Sequence, residues 1–135
     1  MNTYTIVRPE HLNHFGYLFG GQLLKWVDET AWMAAARDYP GFILVTRAMD
    51  RIDFKTRVAS GAILRFDVRP ARQGRTSVRY GVDVYADEPG AMTEKPVFST
   101  CVTFVCVDGK GRKRPLPPEG PLHTAGRGAK EEDEA

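Results

Sequence analysis

Gln22-Leu23-Leu24-Lys25-Trp26-Val27-Asp28-Glu29-Thr30-Ala31-Trp32-Met33-Ala34-Ala35-Ala36-Arg37 becomes apolar around most of its girth once it is wound into an α-helix. Leu23, Val27, Ala31 and Ala34 fall on one stripe, and Leu24 and Ala35 widen it. Trp26 and Met33 occupy the other side, so only an arc carrying Lys25, Glu29 and Ala36 is left for solvent. A helix of this kind has to be wrapped by other structure. Tyr39-Pro40-Gly41 ends it.

The flanking sequence supplies the wrapping. Upstream, Thr3 to Val7 reads as a short first strand or extended arm stopped at Arg8-Pro9, and a polar, Gly-rich stretch from His11 to Gly21 leads into the helix. Downstream, Phe42 to Phe54 is rich in β-branched and aromatic residues, and Ser60-Gly61 punctuates the chain. Across Ala62 to Arg72, Leu64, Phe66 and Val68 alternate with Arg65, Asp67 and Arg69, the pattern of a strand buried on one face and wet on the other. After Gln73-Gly74-Arg75, a fourth strand sets Val78, Tyr80, Val82 and Val84 against Ser77, Arg79, Gly81 and Asp83. The fifth, Val97 to Val107, is apolar on both faces. One long helix between a first strand and a four-strand antiparallel meander predicts an α+β layer in which the sheet curls around the helix. Beyond Asp108, GKGRKRPLPPEGPLH is basic and Pro/Gly-rich, and AGRGAKEEDEA is polar with an acidic end. The expected organisation is one domain over residues 1–118 and a disordered tail over 119–135.

A domain of 135 residues buries roughly 68% of its unfolded surface, so folding requires neither disulfide nor metal. A hydrophobic content of 42% and a net charge of +2 exclude the disordered and membrane classes and name no partner. Cys101 and Cys106, five positions apart in one strand, point to opposite faces, which argues against a disulfide and for a reducing compartment. With no signal-peptide pattern at the N-terminus and no apolar run of membrane-spanning length, the expected location is the cytoplasm.

Asp28 is the first candidate for chemistry, because helical spacing sets it beside the apolar stripe, next to Leu24 and Ala35. A carboxylate there is costly unless it is paired or used, and an ion pair with Lys25 three residues earlier is the competing reading. Gly20 and Gly21 precede the periodic segment, where amides lack intrahelical partners and lie at the positive end of the helix dipole. Such amides can stabilise an oxyanion, although a glycine N-cap or turn with no ligand is the commoner use of such a pair. Asn13, His11 and His14 lie in the loop before the helix, where an amide or imidazole could hold a water or a carbonyl, or simply make a turn. His11, His14 and His123 have no metal-ligand spacing, and neither a nucleophile elbow nor a P-loop is present, so no metal site is expected.

Asn13-His14-Phe15-Gly16-Tyr17-Leu18-Phe19-Gly20-Gly21 followed by Asp28-Glu29 resembles the N-x-x-G-x-x-F-G-G-x6-D-E signature of acyl-CoA thioesterases of the hotdog fold, in the group of bacterial broad-range and animal cytosolic acyl-CoA hydrolases. The likeness continues through Val45-Thr46, Ile52-Asp53-Phe54, Ser60-Gly61, Gly74-Arg75-Thr76-Ser77, Phe98-Ser99 and Arg114-Pro115-Leu116-Pro117. Two departures stand out: His11 where an acidic residue is usual, and the charged run Arg47, Asp50 and Arg51 in the second strand.

The resemblance implies a five-stranded antiparallel sheet around one long helix, and hydrolysis of acyl-CoA thioesters without a cofactor. It makes Asp28 the catalytic base or nucleophile, Asn13 its partner in orienting water or carbonyl, and Gly20 and Gly21 the amides that polarise the thioester. It implies contacts to CoA from Ser60, Gly61, Gly74, Arg75, Thr76 and Ser77, and a homodimer with two shared sites assembled further into a hexamer. Lys110, Arg112, Lys113 and Arg114 could meet the CoA phosphates or form a solvated hairpin end. A hotdog hydratase using His11 or His14, and a non-catalytic acyl-CoA-binding module, are the alternatives. No nucleic-acid or membrane partner is expected, since GKGRKR is short and not interleaved with aromatics.

Overall fold

A computed structural model describes residues 1–118 and 120–122. The strands are β1 (Asn2–Ile6), β2 (Ile43–Phe54), β3 (Ile63–Gln73), β4 (Ser77–Asp87) and β5 (Lys95–Val107), and the helix α1 spans Gly20–Asp38. They form one antiparallel sheet in the order β1-β3-β4-β5-β2, with α1 packed against β3, β2, β4 and β5. This is the expected hotdog arrangement.

The stripe read from the sequence is the face that the sheet encloses. Leu23, Val27, Ala31, Ala34 and Ala35 of α1 are buried with Leu64, Phe66 and Val68 of β3, Tyr80 and Val82 of β4, and Val102 and Phe104 of β5. Burying Leu23 and Val27 stabilises the fold by about 1.5–3 kcal/mol each. The three alanines let the helix axis approach the sheet closely, while Trp26 crosses to Phe66 edge-on at 6.4 Å between ring centroids. At its far end α1 is tied down by Tyr80, whose hydroxyl donates to Asp38 Oδ2 at 2.6 Å. Tyr39 donates to Gln73 Oε1 at 2.5 Å, and Gln73 Nε2 reaches Pro117 O at 2.9 Å. Burial, the larger cause, and the nearby Asp38 charge push the Tyr39 phenol well above its ordinary range. Of the expected tail, residues 120–122 alone are described, and Gly120 is buried against Tyr39 and Gln73. The remainder of 119–135 lies outside the described residues.

The meander expectation is corrected. Only β3, β4 and β5 follow one another as neighbours, whereas β2 lies at the opposite edge, paired with β5 from Ile43↔Val107 to Phe54↔Phe98. The connection over 55–62 reaches easily, since eight extended residues span roughly 26 Å and three strand spacings about 14 Å. Burial explains the choice. β2 is exposed at all but two of its positions, as an edge strand tolerates, whereas β5 is covered on both faces from Val102 to Cys106. The register of β2 slips twice, between Thr46 and Ala48 and between Asp50 and Asp53. Arg51, inside the second slip, holds a left-handed φ of 61°. Its flanks are pinned where Thr100 Oγ1 donates to Asp50 O at 2.7 Å and Arg79 pairs with the Asp50 carboxylate.

Gly61 has a φ of 89°, and a Cβ there would lie 3.2 Å from Pro89. Its amide donates to Val7 O at 2.8 Å, closing the turn into β3. Gly61→Ala is therefore expected to lower stability by about 1–2 kcal/mol, the cost of the left-handed conformation for a residue with a Cβ. Chemical denaturation checks this: an unchanged midpoint would show that the turn relaxes freely.

Candidate active site

The helix start is built to leave amides open. Phe19, in the N-cap position, is extended and offers no side-chain cap, and the amides of Gly20 and Gly21 donate to no protein acceptor among the described residues. Aromatic rings stand over both glycines: a Cβ on Gly21 would come within 2.7 Å of the Phe19 ring, and one on Gly20 within 3.4 Å of Phe54. Two uncapped donors at the positive end of a 19-residue helix make an anion- or carbonyl-binding point.

Asn13 shapes the loop beside it. Its Oδ1 accepts from the amides of Phe15 at 2.8 Å and Tyr17 at 3.2 Å, which leaves Nδ2 without a protein acceptor among the described residues. Asn13 and Gly20 line one cleft of ≈ 500 Å³, with Phe15, Tyr17, Phe54, Lys55 and Arg57 among its walls. Lys55 and Arg57 carry no motif and no periodicity, so sequence reading passed over them.

Asp28 is half-buried two turns along the helix, and its Oδ1 accepts from Thr46 Oγ1 at 2.7 Å. The competing ion pair with Lys25 does not form among the described residues. Asp28 and Thr46 line a second cleft of ≈ 450 Å³ with Glu29, Trp32 and Met33. Thr46 belongs to the Val45-Thr46 likeness, yet nothing in the sequence ties it to a carboxylate 18 positions earlier. The structure therefore brings Gly20 and Asn13 together, with Gly21 next along the helix, and sets Asp28 apart. Asp28 lies eight helical steps after Gly20, about 12 Å along the axis at ~1.5 Å per residue.

The residues expected to meet CoA divide between the two ends of the sheet. Gly74, Arg75, Thr76 and Ser77 form the β3–β4 turn, closed by Gly74 N–H to Ser77 O at 2.8 Å, and the segment after β5 lies against it. There the Cys106 amide donates to Thr76 O and the Leu116 amide to Arg75 O, both at 2.8 Å. Ser60 and Gly61 are at the opposite end, beside the β4–β5 loop, where Ala59 N–H donates to Glu88. The basic hairpin is partly committed. Amides of Arg112 and Lys110, in that order of effect, hold the Asp108 carboxyl below its usual range, and Arg112 Nε pairs with it at 3.2 Å. Arg114 stacks over Phe42 at 4.2 Å from the ring centroid. His11 accepts the Arg8 amide on Nδ1 and packs edge-on to Trp26, so it braces the loop, and His14 stacks on Phe15. Neither histidine lines either cleft. Among the described residues no cluster of three or more His, Cys, Asp or Glu could hold a metal ion, and no helix is long and apolar enough to cross a membrane.

Residues 15–93 match the model of the thioesterase superfamily. Mouse acyl-coenzyme A thioesterase 11 is 34% identical over 100 residues, covering 74% of this chain. The chain spans 17% of that protein's length and 18% of the mouse and rat acetyl-coenzyme A thioesterases it also matches. Among solved structures, a hexameric hotdog fold thioesterase of Campylobacter jejuni superposes with a TM-score of 0.77 at 31% identity, covering 85% of this chain and 88% of that one. An acyl-CoA hydrolase variant from Staphylococcus aureus, in complex with coenzyme A, superposes with a TM-score of 0.79 at 26% identity, covering 87% and 70% of the two chains.

The structure separates cations held by protein partners from cations without one among the described residues. Arg114→Ala is expected to lower stability by about 0.5–1 kcal/mol through loss of the stack on Phe42. Lys110→Ala and Lys113→Ala, whose ammonium groups have no protein partner among the described residues, leave it unchanged. Thermal midpoints of the three variants check the difference.

Proposed function

The chain belongs to the thioesterase superfamily, and on that footing we propose that it hydrolyses acyl-CoA thioesters to a carboxylic acid and CoA at a site completed by a second copy of itself. One observation carries the reading: Asp28 and the open Gly20 and Gly21 amides are each disposed for acyl transfer but lie about 12 Å apart along one helix. Base and oxyanion donors must each come within about 3 Å of the reacting atoms. A single copy cannot satisfy both.

A second copy can. β2 is an open edge with Ile43, Val45, Ile52 and Phe54 exposed, and Trp32 and Met33 of α1 are exposed beside it. A two-fold axis that joins this edge to its own copy makes the two β2 strands antiparallel. The Thr46 half of one strand then runs beside the Phe54 half of the other, so Asp28 of each copy approaches the Asn13–Gly20 cleft of its partner. The same operation carries the basic 108–114 hairpin of one copy toward the 55–61 end of the other, which accounts for the division of the expected CoA contacts. The C. jejuni neighbour is described as hexameric, and we extend that assembly to this chain as dimers joined in threes.

The chemistry asks little more. The thioester oxygen accepts from the Gly20 and Gly21 amides, which stabilise the negative charge that the oxygen gains as the carbonyl carbon becomes tetrahedral. Asp28 either takes a proton from a water that attacks that carbon, or attacks it directly to give an anhydride that water then opens. In both routes CoA leaves as the thiolate. Thr46 positions the carboxylate by donating to Oδ1 and leaves Oδ2 to act. In the S. aureus enzyme, an aspartate and an asparagine were each replaced by alanine at positions separated by the same interval as Asn13 and Asp28. That spacing supports pairing these two residues at one site.

Thiol release across a panel of acyl-CoAs tests the activity. Asp28→Asn is expected to lower kcat by about 10² to 10⁴, the range for a positioned acid or base, with folding intact. Thr46→Val is expected to lower kcat about tenfold by removing a donor to a charged group, and Thr46→Ser to restore it. Full turnover from folded Asp28→Asn would overturn the mechanism. Light scattering at micromolar concentration tests the assembly, and a monomer mass would sink the composite site.

A further inference from the structure

The cleft at the helix start holds two cations that thioester hydrolysis does not use. Lys55 and Arg57 line it with Gly20 and Asn13, and Phe15 and Phe54 furnish apolar wall between them. Building on the hydrolase reading of this same cleft, we propose that its preferred substrates are acyl-CoAs whose short acyl chain itself ends in a carboxylate. Arg57 binds that carboxylate, with Lys55 beside it.

Arg57 is held for such a task. Its guanidinium lies 4.5 Å from the centroid of the Tyr17 ring. Tyr17 is fixed in turn by its backbone N–H, which donates to Asn13 Oδ1, and by a β-bridge to Ala59. Arg65, Arg69, Arg79 and Arg112 all pair with carboxylates of this chain, whereas Arg57 has none among the described residues. A guanidinium stacked on a ring keeps its planar fork of donors, which matches a carboxylate bidentately. Lys55 is anchored by its amide to Val97 O at 2.8 Å, and its ammonium pairs with Asp53 at 2.8 Å. That exposed pair is weak enough to be shared with an incoming anion.

Distance selects the acyl end of the substrate over the phosphates of CoA. A cleft of ≈ 500 Å³ is about 10 Å across if compact. A charge bound in it therefore lies within about 10 Å of a carbonyl held on the Gly20 amide. The diphosphate of CoA is some thirteen bonds from the sulfur, about 16 Å at the advance per bond of an extended chain. A terminal carboxylate three to five bonds from the thioester fits the shorter distance, with its methylenes against Phe15 and Phe54.

The test compares chain-matched pairs, glutaryl-CoA with valeryl-CoA and adipyl-CoA with hexanoyl-CoA, by kcat/KM. Wild type is expected to favour the carboxylate-bearing member of each pair. Arg57→Gln is expected to lower that preference at least about tenfold, the loss typical of a bond between charged groups, and Arg57→Lys, which keeps the charge but loses the fork, to retain only part of it. Calorimetry with non-hydrolysable thioethers, S-(4-carboxybutyl)-CoA and S-pentyl-CoA, reads the same preference without turnover. Preferential binding of the carboxylate thioether without hydrolysis of any thioester would uphold carboxylate recognition by Arg57 and sink the hydrolase reading. Hydrolysis with no preference, or with one that Arg57→Gln leaves intact, would overturn the inference alone. So would an Arg57→Gln variant that binds both thioethers and free CoA more weakly by one common factor, because Arg57 would then be reading phosphate.

Discussion

Everything in this molecule follows from a helix with too little polar surface. Leu23, Val27, Ala31, Ala34 and Ala35 are enclosed by the sheet, but Trp32 and Met33 on another side of the same helix stay exposed, beside the open edge of β2. A five-stranded sheet curls around only part of the circumference, and its last strand brings a second row of exposed apolar side chains to the same border. The hydrophobic surface left over adjoins Asp28 and Thr46, which line one cleft with Trp32 and Met33. Under the proposed hydrolase reading, packing and catalysis would make the same demand, a second copy against β2.

The helix and the strand alternation were legible because they depend on near neighbours. Leu64, Phe66 and Val68 alternate along their own strand whatever lies beside it, and the stripe through Val27 is set by helical spacing alone. Strand order was not legible, because pairing is a bond between distant segments and the local pattern of β2 fits any edge. Helix limits moved for a similar reason: Gly20 and Gly21 have poor helix propensity, and only the fold shows that α1 includes them and that a Cβ on either would meet the ring of Phe54 or Phe19. The signature marked Asp28, Asn13 and the glycine pair, but it could not say that one chain divides them between two clefts. Thr46, Lys55 and Arg57 escaped because their meaning lies in what the fold sets opposite them.

The division of site residues between the ends of the sheet is informative in itself. The 74–77 turn and the basic hairpin share one end, while the Ser60–Gly61 turn, the Asn13 loop and the helix start share the other. Gly61 at least is there for geometry, with a left-handed φ and an amide bonded to Val7, and its likeness to a CoA-contacting segment need imply no contact at all. Arg114 and Arg112 are comparable, bound to Phe42 and Asp108. A residue matched to a functional motif can be kept by the fold for its own reasons.

The two register slips in β2 bear on recognition as well as shape. An open strand edge is a general template, since any extended segment can add its backbone to it. Between Thr46 and Phe54 this edge loses step twice, and Arg51 stands in a conformation that a regular ladder does not accommodate. A stray strand from another protein would find its hydrogen bonds out of phase after a few residues. A second copy of this chain presents the same irregularities in reverse order, and two-fold symmetry can bring them into step. If the proposed pairing of two β2 edges holds, irregular spacing would work as a password: it would discourage indiscriminate strand addition while leaving the chain open to itself.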